Sequence, residues 1–506
     1  AISLEWKPPH GPQRVIPAHN LRTQRVSPTF VINTPFPADD SSVGYERGVG
    51  VSKEWDEATT QAALEVAAYV TKNLNRLSDS RPDDTNRTSQ VQGFCRQFVA
   101  TAFRRPLTAD EKRIHVDDQF KKAPKTEEAV KRVVLLALKS PQFLYLDLQP
   151  KSDDYEIASR ISFALWDSAP DAELLKAAEE GKLHTTEQVR AQAKRMLADA
   201  RAHTKMYYFL QKWLDMDRGD DLSKDPKAYP GFTPEIAADL RTSLKLFLDE
   251  EVWSEASDYR RLLLADYMYV NNRLANFYGI KGEFTNDFVK VTLNPKERSG
   301  VITHPFLLSA LAYTKQSSPI HRGVFLTRRI VGRALKPPPI AVAFNDAEFD
   351  PSLTMREKVA QLTKDRNCQG CHSFINPLGF SLEHFDAVGK FRDMDNGKAV
   401  NALAEYLADD GKVIKLSGPR DVAEFAANNE DAHRAFIEQL FHQVVKQPVF
   451  AYGPNVMDQL RQSFAASGFN IQQLLVDITT VSALHDFPVN KQSNQRLVTA
   501  TSTKGL

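Results

Sequence analysis

Two cysteines and a histidine stand together at Cys368-Gln369-Gly370-Cys371-His372. Two thiols three residues apart, followed at once by an imidazole, suit covalent haem attachment. The thiols reach the two vinyl groups of one porphyrin edge and become thioethers, while the histidine comes to lie under the iron and ligates it. Other uses of a cysteine pair need partners that are missing. A zinc site takes four ligands, usually from a second paired motif, and Cys95 is the only further cysteine. A thioredoxin-like dithiol needs a βαβ setting, whereas the surroundings of this motif read as helical. The motif therefore points to one covalently bound haem c with His372 on the iron.

The other face of that iron decides between electron transfer and catalysis. A low-spin electron-transfer haem takes a second axial Met or His; a catalytic haem leaves the position open. Downstream candidates are His384, Met394, His433, His442, Met457 and His485. His384 is too near His372 to swing easily over the opposite face. Met394, in Phe391-Arg392-Asp393-Met394, and His442, in AFIEQLFHQVVKQ, are the two candidate sixth ligands, each with an ordinary surface or core role as the alternative. Arg392 is a candidate for a haem propionate, because guanidinium pairs with carboxylate in a two-pronged way; a solvated surface arginine is the plainer reading. His304 and His321 could face the haem from a neighbouring domain or serve ordinary polar roles. A buried small hydrophobe is the default reading of Cys95.

The elements that must hold these residues read as helices. Thr354-Met355-Arg356-Glu357 forms a capping box ahead of a helix with Met355, Val359 and Leu362 on one face, running into the haem motif. Thr108–Glu111 and Thr185–Gln188 repeat the device. Ala62, Ala63, Val66, Ala67 and Val70 recur at helical spacing, and Tyr155 to Leu165 and MYYFLQKWLDM (206–216) carry broad apolar faces. Tyr207, Phe209 and Trp213 read as core in preference to a cofactor pocket. The best strand candidate is FVKVTL (288–293), alternating and β-branched. Otherwise helices run to about residue 280, and again from His304 to Arg333. Lys336-Pro337-Pro338-Pro339-Ile340 stops any helix, since proline lacks an amide donor and restricts its predecessor.

These readings give a predominantly all-α, multi-domain protein with a C-terminal cytochrome c-like haem module. The expected divisions are 1–90, irregular plus one helix; 91–150, a small helical domain; 151–335, a central helical domain; 341–490, the haem module; and 491–506, a flexible tail. With 65 basic and 64 acidic residues in 506, the net charge of +1 gives no support to a nucleic-acid or membrane-surface role. No run of about 18 apolar residues occurs, so no transmembrane segment is expected. The haem c implies an exported, periplasmic or otherwise extracytoplasmic protein, its signal peptide removed or outside this sequence.

NCQGCHSFINPLGFSLEHFDAVGKFR (367–392) resembles the C-terminal cytochrome module of the large planctomycete-type multi-domain cytochrome proteins. SRISFALWDSAPDAELLKAAEEGKL (159–183) and LLADYMYVNNRLANFYGI (263–280) look like their central helical domain, and ERSGVITHPFLLSALAYTKQSSPIHRGVFLTRRIVGRALKPPP (297–339) like the segment before the haem module. CRQFVATAFRRPLTADE (95–111) is similar to their short N-terminal helical domain, and FHQVVKQPVFAYG (441–453) to the end of the module. The resemblance implies an exported, mainly α-helical protein with one haem c in its last third, and supplies no settled reaction. The expected function is electron transfer with a partner redox protein. The alternatives are a peroxidase- or oxygenase-like enzyme with open iron, favoured by the size of the helical region, and a docking scaffold for a dehydrogenase or polymer.

Overall fold

Helix accounts for 60% of the computed structural model and strand for 6%. The structure describes residues 5–6, 14–15, 30–38, 51–146, 152–335 and 344–486. The Pro-rich stretch 336–340 and the tail 491–506 lie outside the described residues. The chain divides into two compact units, one of 27–39, 49–203 and 476–506, the other of 1–26, 40–48 and 204–475.

In the first unit the helical spacing read at 62–70 becomes α1 (Lys53–Lys72), started by Ser52, whose side chain accepts from the Trp55 amide. It packs with α2 (Arg87–Phe103) and α3 (Thr126–Leu138) around Val70, Leu74, Val91, Cys95, Val99, Val130 and Val133. This shared core carries no boundary at residue 90: α1 cannot bury its apolar stripe without α2 and α3. Cys95 is 1% exposed, and burial pushes its thiol up to about 12, which leaves it an inert hydrophobe. The Thr108–Glu111 capping box is present, and Arg105 grips both Glu111 oxygens at 2.7 and 3.0 Å. Downstream, α4 (Asp154–Trp166) packs on α5 (Ala172–Glu179) and α6 (Thr186–Leu197), the last opened by the Thr185–Gln188 box.

The second unit contains the Cys-x-x-Cys-His motif. Helix α7 (Ala200–Trp213) puts Phe209 and Trp213 against Phe436, 5.7 and 5.1 Å between ring centroids, and Tyr259 and Phe464 complete the cluster. These aromatics are core, as their spacing suggested. Strand β1 (Tyr267–Val270) pairs antiparallel with β2 (Val289–Thr292), Tyr267 opposite Thr292 and Val270 opposite Val289. The expected strand at 288–293 is thus present. Its partner falls where a succession of helices was expected, because Tyr-Met-Tyr-Val is aromatic and β-branched and Asn271 caps a new helix at Asn272.

The stretch 304–333 is broken where one helix-like run was expected. Pro305 and Pro319 each sit at the first position of a new helix, where the missing amide costs nothing. The second of these is α10 once α8 (Pro234–Trp253) and α9 (Tyr259–Leu264) are counted; α10 spans Pro319–Phe325. It packs on α12 (Arg366–Phe380), which follows α11 (Met355–Leu362). Because α10 and α12 lie on opposite sides of 336–340 and share one unit, the Pro-rich stretch connects parts of a single unit, not two domains as expected. Two hairpins follow, β3 (Met394–Asp395) with β4 (Lys398–Ala399) and β5 (Ala404–Leu407) with β6 (Val413–Leu416). Helices α13 (Pro419–Asn428), α14 (Glu430–Val445) and α15 (Val456–Ala466) complete the described elements used below.

Candidate functional site

Helix α12 carries the motif. Its N-terminus is capped by Asp365, whose carboxylate accepts from the Asn367 amide at 2.8 Å, and the preceding α11 opens with the Thr354–Glu357 capping box. The two helices are separate: α11 stops at Leu362 and the chain turns through Thr363–Asp365 before α12 begins. Cys368, Cys371 and His372 fall at helix spacings of three and four, so they share one face. All three are half-buried, whereas Asn367, Gln369, Gly370 and Ser373 around them are exposed. Both thiols are free.

The His372 ring is held from within the same helix. Its Nδ1 lies 2.9 Å from Asn376 Oδ1, one turn on, and Asn376 Nδ2 donates to Thr363 Oγ1 at 2.8 Å. An amide oxygen only accepts, so Nδ1 is the donor of this pair, and in the neutral ring that leaves the lone pair on Nε2. That is the form a metal-ligating imidazole needs, with its second nitrogen fixed by a hydrogen bond.

Behind the motif, α12 is pressed onto α10 by two glycines. A Cβ on Gly323 would meet Ile375 O at 2.2 Å, and one on Gly379 would meet Pro319 O at 2.0 Å. Fully buried Arg322 then ties down the loop after α12, donating to the carbonyls of Leu308, Leu382, Phe385 and Asp386 at 2.6 to 3.2 Å. On another side the Arg333 guanidinium lies 3.3 Å over the Phe374 ring, and it is paired with Asp409 beyond β5 at 2.9 Å. The motif therefore sits on a helix fixed along its C-terminal half.

Arg392 has every nitrogen engaged. Nε donates to Glu383 O, Nη1 to Asp395 Oδ1 at 2.8 Å, and Nη2 to Ser317 Oγ and Glu383 Oε2 at 3.2 and 3.3 Å. Burial pushes the Glu383 carboxyl above its usual range, against the pull of Arg392 and Arg322. Arg392 is thus part of a buried ion network anchoring β3, and a propionate would have to compete for it. Met394, on β3, is 54% exposed. His442 is 4% exposed within α14. His384 donates from Nδ1 to Arg392 O at 2.9 Å, and His433 from Nε2 to Ala427 O at 3.0 Å.

His304 is spoken for at both nitrogens: Nδ1 accepts from the Phe306 amide, and Nε2 lies 3.3 Å from Ser243 Oγ. Burial, with Arg298 nearby, brings it down to about 3, so it stays neutral and caps a helix. His321 packs on Tyr313, 5.3 Å between ring centroids. Among the described residues no group of three or more His, Cys, Asp or Glu side chains gathers as a metal site. Asn376, Thr363, Gly323 and Gly379 were not singled out from sequence. The His372–Asn376 spacing of four within a helix was the available signal; the glycine contacts, spanning more than 50 residues, left none.

Two family models match the chain. Residues 153–280 match PSD4, protein of unknown function (DUF1592), and residues 298–395 match PSCyt3, protein of unknown function (DUF1588). The second match runs from before α10 through α12 to β3, spanning the α10–α12 contact and the whole Cys-x-x-Cys-His motif. No curated protein and no solved structure matches the chain. Both models are of cytochrome-c-associated domains of unknown function, and the chain is similar to each over the residues given.

Proposed function

We propose that the chain is an exported c-type cytochrome, with one haem c on Cys368, Cys371 and His372, that passes electrons to or from a partner redox protein. One observation carries the reading: two free, half-buried thiols and an imidazole share one helix face, and the imidazole is held so that Nε2 keeps its lone pair. The donor set fits haem c and does not complete a zinc site. Bound here, the group would supply a one-electron iron couple. Cys368 and Cys371 would fix its edge to α12, His372 would ligate from Nε2, and the α10–α12 contact would hold that geometry through a change of charge.

Of the two candidate sixth ligands we favour Met394. It stands half-exposed on a short hairpin, whereas His442 would have to leave the packed interior of α14. The hairpin is anchored near α11, with the Met355 amide donating to Asp395 Oδ2 at 2.8 Å and Lys398 paired with Glu357 at 2.8 Å. Such a ligand closes the iron and suits a carrier. The test is the ferric spectrum of the protein matured with haem. A low-spin, six-coordinate spectrum unchanged by cyanide or peroxide is expected. A high-spin spectrum that shifts with peroxide would replace the carrier reading with an enzymatic one.

A further inference from the structure

We infer that Thr363 and Asn376 are positioning residues that select the ligating tautomer of His372 and set the charge donated to the iron; this rests on the haem reading above. The Thr363 hydroxyl has one hydrogen, and it goes to Val359 O at 2.8 Å, back along α11. Its oxygen can then only accept, which it does from Asn376 Nδ2. The amide is thereby oriented with Oδ1 toward His372 Nδ1, 2.9 Å away. The imidazole must donate from Nδ1 and leave Nε2 bare.

The chain of bonds has a reverse polarity that would disable the site. If Thr363 donated to the Asn376 oxygen, the amide would turn its nitrogen to His372, and the ring would carry its proton on Nε2. What opposes this is the hold of the Val359 carbonyl on the threonine hydrogen, at the last turn of α11. The relay is also protected from water: Thr363 and Asn376 are 2% and 8% exposed. Gln369 Nε2 donates to the Thr363 carbonyl, so the turn is tied back to the first turn of α12. The turn between the two helices thus sets a proton position on the motif that follows it. A hydrogen bond from Nδ1 makes the ring a stronger donor at Nε2, which favours ferric over ferrous iron and lowers the potential.

Two measurements test this, one independent of haem. In haem-free protein labelled with 15N-histidine, the His372 signal, assigned by its loss in His372→Ala, should report a protonated Nδ1 and a bare Nε2. Thr363→Val should shift it toward a mixture, and Thr363→Ser should restore it. A wild-type His372 protonated on Nε2 would overturn the inference whether or not haem binds. In the haem-loaded protein, Asn376→Leu should raise the midpoint potential and Asn376→Asp should lower it. A tenfold change in the relative stability of the two oxidation states corresponds to about 59 mV. Equal shifts of one sign in both variants, or none, would mean that Asn376 only packs. Failure of wild-type protein to take up haem would instead count against the cytochrome reading, leaving the tautomer result to judge the relay.

Discussion

Two glycines of one helix should respond to alanine in opposite directions. At Gly379 an added Cβ would lie 2.0 Å from Pro319 O, 2.8 Å from its carbonyl carbon and 3.2 Å from its Cα. These are backbone atoms, so no side chain can swing aside, and α10 and α12 must part by roughly 1 Å or more at their crossing. Overpacking of this kind costs about 1–3 kcal/mol; alanine returns about 1 kcal/mol of helix propensity. With backbone against backbone the cost falls at the upper end, leaving Gly379→Ala about 2 kcal/mol less stable. Gly370 has nothing within 4 Å of its would-be Cβ and is exposed. Gly370→Ala should therefore stabilise α12 by about 0.5–1 kcal/mol. Amide hydrogen exchange over 366–380 in haem-free protein reads both. Gly379→Ala should speed exchange about 30-fold, since 1.4 kcal/mol is tenfold, while Gly370→Ala should slow it severalfold. Undiminished protection in Gly379→Ala would refute the claim that close backbone contact fixes the motif helix.

Three further outcomes follow from the same geometry. Glu111 is a carboxylate that burial alone would raise, but Arg105 and the Thr108 cap outweigh burial and hold it at about 2. A depressed carboxyl stabilises above the ordinary 4.5 and loses that contribution as pH falls through about 2, so the first unit should lose up to roughly 3 kcal/mol over that window; urea melts of wild type and Glu111→Gln should converge at the acid end. Arg322→Met strands four carbonyls at about 1–3 kcal/mol each where water does not replace it, and limited proteolysis should cut within 382–386 in that variant alone. Met394→Ala should turn the ferric haem high-spin while His442→Phe leaves it low-spin; the converse would assign the ligand to His442.

What was legible in the sequence was local. The capping boxes at Thr108, Thr185 and Thr354 each place two side chains within four residues, and all three are present. The alternation at 288–293 announced β2 through its own residues, Val-Lys-Val-Thr, although the strand is mostly exposed. Strand β1 is buried on both faces, with only Tyr269 partly exposed; its apolar run carried no alternation and passed for helix. The boundary expected at the Pro-rich stretch falls inside one compact unit for a related reason. A Pro-rich stretch shows where helix stops, but whether it separates domains depends on contacts such as Gly323 on Ile375, made by residues distant in sequence. In the motif, spacing alone revealed Cys368, Cys371 and His372. The orientation of His372 depends on Thr363 in the preceding turn, which acts through its hydroxyl proton and belongs to no recognisable pattern.

Cys368 and Cys371 should hold one haem by thioether bonds. Intact-mass and peptide mass spectrometry of protein produced alongside a c-type haem maturation system tests it most directly. Expected is a gain of one haem, retained after denaturation, confined to the peptide containing 368–372, and no such adduct when Cys368 and Cys371 are both replaced by alanine. An unmodified mass from the same cells, with Cys368 and Cys371 both open to alkylation, would contradict it.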